Sequence, residues 1–202
     1  MILAIDTATR WLGLALHDGT AVVAEMGWRC LNNHTIELAP NLHEMMHRAT
    51  ITPADLSGIA VAIGPGSYTG LRVGLALAKG LALANQTPLI GISTLDIVAA
   101  AFGPFPGQLL VVAEAGRTRV CVAPYEWENG RGWQTETTPT IESWEALLPT
   151  LEGRITFAGE ITAQAIKQIK ATNKTFQIAP PATAVRRAGY LAELGWRRLR
   201  AG

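Results

Sequence analysis

ILAIDTATRWLGLALHDGTAVVAEMGW, residues 2–28, is the stretch from which the fold is read. Residues 2–5 are a short apolar run. Residues 11–17 (WLGLALH) form a second run after the polar break Asp6-Thr7-Ala8-Thr9-Arg10. Asp18-Gly19 follows, the strongest hairpin signal in the chain, because both residues tolerate the positive φ of a tight two-residue turn. Residues 21–28 supply the returning strand. Three strands in succession, joined by short turns, predict an antiparallel meander.

Beyond it the period changes. Leu38, Leu42, Met45, Met46 and Ala49 recur at helical spacing, with Pro40 expected to kink or restart the helix because it removes a ladder donor. Residues 59–63 form a continuous apolar strand ending in Gly64-Pro65-Gly66. A helix over 69–84, a strand over 89–92 and a helix over 94–102 complete the first half. The second half starts again. Residues 109–114, 119–125 and 132–137 read as strands, 141–148 as helix, 155–158 as strand and 161–169 as helix. A short strand over 176–178 and a closing helix over 184–199 follow. A repeated meander followed by αβαβα predicts an α/β protein of two related lobes rather than one doubly wound sheet. The breaker cluster Gly103-Pro104-Phe105-Pro106-Gly107 puts the boundary between lobes 1–104 and 105–202.

The composition agrees with a packed protein. Of 202 residues, 16% are charged and 49% hydrophobic, against about 25% charged in an average soluble domain. That excludes intrinsic disorder and hints at apolar surface reserved for a partner. A net charge of +1 provides no global field for nucleic acid or membrane. Cys30 and Cys121 form no CxxC pair or disulfide framework, which fits a reducing cytosol. Asp6 interrupts the first apolar run, so no signal peptide is read, and Arg72 and Lys79 break the most apolar stretch. A cytoplasmic chain is expected.

Five features carry candidate chemistry. His43-Glu44-Met45-Met46-His47 matches HExxH, in which two histidines one turn apart grip Zn²⁺ and a glutamate deprotonates its water. No histidine follows His47, and Asp55 is the one carboxylate before Asp96, so a third ligand is missing; a polar helix flank is the plainer reading, and no metal site is assigned. Asp6, Thr7 and Thr9 lie in a strand-to-strand turn of the kind that holds nucleotide phosphate. Such a turn wants glycine where Thr7 and Ala8 stand, and Asp6 serves equally as a turn residue. Gly64-Pro65-Gly66-Ser67 leads into a helix, either as an anion cradle or as a loop whose Ser67 or Thr69 caps that helix. In the helix itself Gly70, Gly74, Ala78 and Ala82 repeat every four residues, a smooth stripe that admits a close helix neighbour, inside the fold or on a partner. Arg186, Arg187, Arg197, Arg198 and Arg200 offer a phosphate-binding face or, more simply, a solvated one.

Taken together, ILAIDTAT at residues 2–9, NNHT at 32–35, GPGSYTGLRVGLALAKGLAL at 64–83, PLIGISTLD at 88–96 and EAGRTRVCVAPY at 114–125 resemble the TsaB family. This is the dimerisation subunit of the bacterial tRNA threonylcarbamoyladenosine synthesis complex. The resemblance implies an actin-like (ribonuclease H-like) fold, two similar lobes each with a mixed five-stranded sheet flanked by helices. It implies a subunit without catalysis or cofactor of its own, pairing with a TsaD-type catalytic subunit, with a TsaE-type ATPase also required and tRNA met only through the complex. The paralogue's two metal-binding histidines correspond to Thr94 and Val98, which do not ligate as histidine does. The implied partner interface is Asn33, His34, Leu38, Leu42 and Met45 on one helix, with Gly70, Leu71, Gly74, Leu75 and Ala78 on the next. A nucleotide would sit at a partner interface, and a homodimer is the alternative when the chain is alone. The family's Asp-Ala-Arg is here Glu114-Ala115-Gly116-Arg117, so no role passes to Glu114. The rival readings are an autonomous actin-like ATPase, a metallopeptidase, or an interaction module unconnected with tRNA.

Overall fold

The structure, a computed structural model, describes residues 1–30, 34–116 and 118–201. They fall into two compact units, Met1–Ile97 joined by the stretch from Arg187 onward, and Val98–Arg186.

The first unit is built on the predicted meander: β1 (Ile2–Asp6), β2 (Trp11–His17) and β3 (Val22–Arg29), antiparallel in that order. α1 (His34–Arg48) leads through a 3₁₀ turn to β4 (Gly58–Ala62). α2 (Tyr68–Asn85) connects β4 to β5 (Leu89–Ile92), and α3 (Thr94–Ala99) follows. β4 lies parallel to β1 and β5 parallel to β4, giving the order β3-β2-β1-β4-β5. Side chains alternate across the pleat. Leu3, Ile5, Leu14, Leu16, Ile59 and Val61 face α1 and α2. Ile2, Ala4, Ala15, Ala60 and Ala62 face the opposite way.

That second face is covered by the chain's last helix, α7 (Ala188–Ala201), through Ala188, Leu191 and Ala192. Small residues meet small residues: a Cβ at Gly195 would lie 2.5 Å from that of Ala60. Glu25 on β3 fixes the start of α7, accepting the Gly189 amide at 2.8 Å and Arg187 Nε at 3.0 Å. The expected partition at residue 104 is therefore corrected. α7 completes the first unit because its alanine and glycine stripe fits the alanine face, a pairing the breaker cluster does not report.

Pro40 does not interrupt α1, which runs unbroken through it. The carbonyl that loses its donor is that of Ile36, an exposed residue, so the unpaired oxygen is not forced into the core.

The second unit repeats the plan. β6 (Gln108–Glu114) pairs antiparallel with β7 (Arg119–Glu128), followed by β8 (Gly132–Gln134), β9 (Thr140–Ser143) and α4 (Trp144–Leu147). Then come β10 (Ile155–Gly159), α5 (Ala163–Thr172), β11 (Gln177–Ile178) and α6 (Pro181–Ala184). The order β11-β10-β6-β7-β8 matches the first sheet strand for strand, with β10 parallel to β6 and β11 parallel to β10. Two mixed sheets with one topology make the expected α/β duplication. The sheet has six strands where five were expected. β7 is long enough to pair β9 over its first half and β8 over its second. The segment expected as a helix over 141–148 begins as β9 for that reason. Phe157, Phe176, Trp144, Ile155 and Ile169 fill the core against this sheet.

Candidate functional site

The turn after β1 is closed by its own polar groups. Asp6 Oδ1 accepts the Ala8 amide at 2.9 Å, and Thr9 Oγ1 accepts the Trp11 amide at 3.2 Å. Thr7 Oγ1 donates to the Gly70 carbonyl at 2.7 Å, and the Ser67 amide donates to the Ala8 carbonyl at 2.6 Å. Asp6 and Thr7 are wholly buried. The GPGS loop and the first turn of α2 are thus pressed onto the turn. A Cβ at Gly66 would come within 2.2 Å of the Ala8 carbonyl oxygen, and one at Gly70 within 2.2 Å of that of Thr7. Only glycine permits so close an approach of two backbones. Thr7 Oγ1 and the Ala8 carbonyl are engaged with α2 and the loop before it, while Asp6 Oδ1 and Thr9 Oγ1 bond within the turn itself. Ser67 is the N-cap, its Oγ accepting the Gly70 amide at 3.2 Å. Of the two readings left open for the loop, the capped helix start is the one observed.

The same contacts reverse the expectation for the stripe. Gly70, Gly74 and Ala78 point inward, and a Cβ at Gly74 would lie 2.2 Å from Thr7 Oγ1. Their small size lets α2 settle on β1 and β4 within the chain, not on a partner. Leu38, Leu42 and Met45 belong to the core beneath α1. Leu71 and Leu75 are half-buried against the two sides of the sheet. His34 is also half-buried, its Nε2 3.1 Å from the Thr9 carbonyl oxygen. Asn33, like Asn32 and Arg117, lies outside the described residues.

A cleft lies between the same two helices, with Leu38 of the core at its floor. Thr35, Leu38 and Ala39 of α1 and Tyr68, Arg72, Val73, Ala76 and Leu77 of α2 line an open, mainly apolar groove of about 460 Å³. Tyr68 is 73% exposed, and Ile36 and Leu83 near the groove's helices are 71% and 83% exposed. The Arg72 guanidinium lies 4.9 Å from the Tyr68 ring centroid, a cation–π contact between two lining residues. Of the residues expected at a partner interface, Leu38 also lines this groove, whereas Gly70, Gly74 and Ala78 are buried on another side of α2. The missed signal is a second four-residue repeat, Tyr68-Arg72-Ala76, interleaved with the glycine stripe.

His43 and His47 are exposed, but Glu44 accepts from Arg48 Nε at 2.5 Å, and that hydrogen bond holds its carboxyl below the ordinary range. Among the described residues no three His, Cys, Asp or Glu side chains converge as metal ligands. Thr94 is buried where its amide donates to the Gly64 carbonyl at 2.8 Å, and Val98 is buried in α3. Of the arginines near the C-terminus, Arg186 is buried and the other four are exposed, each with a neighbour. Arg186 is buried within 3.9 Å of Glu160, Arg187 pairs with Glu25 and Arg197 with Glu193. Arg198 Nη1 donates to the Gly91 carbonyl at 2.6 Å, and Arg200 lies over Trp196. Glu160 Oε2 also accepts the Glu114 amide at 3.0 Å. No helix among the described residues is long and apolar enough to cross a membrane.

Residues 29–196 match the family described as "TsaD: tRNA N6-adenosine threonylcarbamoyltransferase". The chain is also 35% identical, over 80% of its length and 72% of the relative's, to the tRNA threonylcarbamoyladenosine biosynthesis protein TsaB of Bacillus subtilis. The chain belongs to the TsaB family. Its architecture agrees. YeaZ from Pseudomonas aeruginosa superposes with a TM-score of 0.77 over 99% of this chain and 93% of that one, at 21% identity. A ROK hexokinase from Thermus thermophilus, with a TM-score of 0.50 over 100% of this chain and 99% of that one at 9% identity, shares the actin-like plan. In this TsaB-family chain the Asp6–Thr9 turn and the stripe are internal, and the α1/α2 groove is the exposed feature.

Proposed function

We propose that this chain is a non-catalytic partner subunit in tRNA N6-threonylcarbamoyladenosine modification, and that it docks a TsaD-type catalytic subunit on the α1/α2 face. The single observation that carries this reading is the apolar groove, left open on a unit whose own core is complete. An exposed tyrosine on the wall of an apolar groove marks an interaction surface. The closed Asp6–Thr9 turn supports a subunit with no nucleotide turnover of its own. A nucleotide, where the complex uses one, then lies at the partner interface, and the TsaE-type ATPase and the tRNA engage the assembled complex.

The test is a binding titration between the full chain and the TsaD-type subunit, with unfolding of the free chain measured in parallel. Tyr68→Asp and Ala76→Asp place a charge in the groove without touching the core. Each is expected to weaken the complex by about tenfold or more, the effect of losing one well-packed interface anchor, with the melting temperature unchanged. Ile141→Asp, at an exposed apolar position of the second unit, should bind as the unaltered chain does. Retained binding by both groove variants, or ATP turnover by the purified chain alone, overturns the proposal.

A further inference from the structure

α1 carries two histidines one turn apart, His43 and His47, on the side away from the core. Their ring centroids are 6.4 Å apart and their planes differ by 28°, a stacked pair of exposed imidazoles. The chain's other two histidines are committed elsewhere. His17 Nδ1 accepts the Gly19 amide at 2.9 Å, and His34 Nε2 meets the Thr9 carbonyl. Neither ring nitrogen of His43 nor of His47 has a hydrogen-bond partner among the described residues.

Residues four apart on a helix are surface neighbours, and two exposed imidazoles so placed can turn one nitrogen each toward a borderline dication. We propose that His43 and His47 form a bidentate site for Zn²⁺, Cu²⁺ or Ni²⁺ on the outer face of α1, with water in the remaining coordination positions. The site binds but does not hydrolyse. A zincin needs a third protein ligand and a free glutamate base, whereas Glu44 is held by Arg48 and no third ligand converges among the described residues. The proposal stands apart from the docking function, since the two imidazoles do not line the groove.

Zn²⁺ alone is the probe, titrated calorimetrically into the full chain while the imidazole proton resonances of all four histidines are followed. One saturable event is expected, shifting His43 and His47 together and leaving His17 and His34 unmoved. His43→Gln and His47→Gln should each weaken it by about tenfold or more, because the second ligand otherwise binds at an effective concentration in the millimolar range. Both side chains are exposed, so the metal-free melting temperature should not change. Equal affinity in either variant, shifts at His17 or His34 instead, or no saturation at millimolar Zn²⁺ overturns the assignment.

Discussion

Gly74→Ala tests the inward orientation of α2 most directly. The added Cβ would lie 2.2 Å from Thr7 Oγ1 and 3.3 Å from Thr7 Cβ. The hydroxyl must move, and in moving it loses its 2.7 Å bond to the Gly70 carbonyl. Overpacking of this kind costs about 1–3 kcal/mol, and a buried hydrogen bond contributes about 1 kcal/mol. Replacing a mid-helix glycine by alanine returns about 1 kcal/mol of helix propensity. The net expectation is destabilisation by about 1–3 kcal/mol, read in urea unfolding. Thr7→Ala alone should cost about 1–2 kcal/mol, from the lost hydrogen bond and methyl burial. In that background the alanine at position 74 meets no hydroxyl and becomes neutral or mildly stabilising. The double-mutant cycle should therefore show coupling of about 2 kcal/mol. Additive effects, or a Gly74→Ala chain as stable as its parent that no longer binds the TsaD-type subunit, would refute the packing described here and return the stripe to the surface.

Two further outcomes are expected. Glu25→Ala removes the acceptor for the Gly189 amide and the partner of Arg187; a loss of about 1–2 kcal/mol should be accompanied by faster hydrogen exchange in the first turns of α7, and unchanged exchange there would contradict the anchoring role. Asp18 Oδ1 accepts from the Thr20 amide, the Thr20 hydroxyl and the Ala21 amide, and these bonds, the Thr20 amide foremost, lower its pKa to about 2. A folded value below the unfolded one of about 3.9 means that this carboxylate supports the β2–β3 hairpin above that pH and ceases to as pH falls toward 2. A carboxyl resonance titrating near its unperturbed value would remove that support.

How far the sequence carried the reading depended on whether a signal was local. Residues 11–17 and 89–92 coincide with β2 and β5 because alternation and turn chemistry are written within them. The duplication, too, was visible as repeated element order. Three things were not. The alanine face that seats α7 is spread over β1, β2 and β4, and no window of adjacent residues displays it. β9 is short and rests on pairing with β7, a tertiary context that overrides the helical look of residues 141–148. The stripe at Gly70, Gly74 and Ala78 announced a close neighbour without saying which. That the neighbour of the two glycines is Thr7, sixty-odd residues earlier, emerges only when β1 and α2 are placed together.

Because α7 covers the alanine side of a sheet made largely from residues 2–62, the second unit is in effect spliced into the first. During synthesis the nascent first unit must wait, with one sheet face naked, while the ribosome makes residues 98–186. At about 5–20 residues per second that interval is roughly 5–20 s, long enough for a chaperone to be the first molecule to meet Ala4, Ala15 and Ala60.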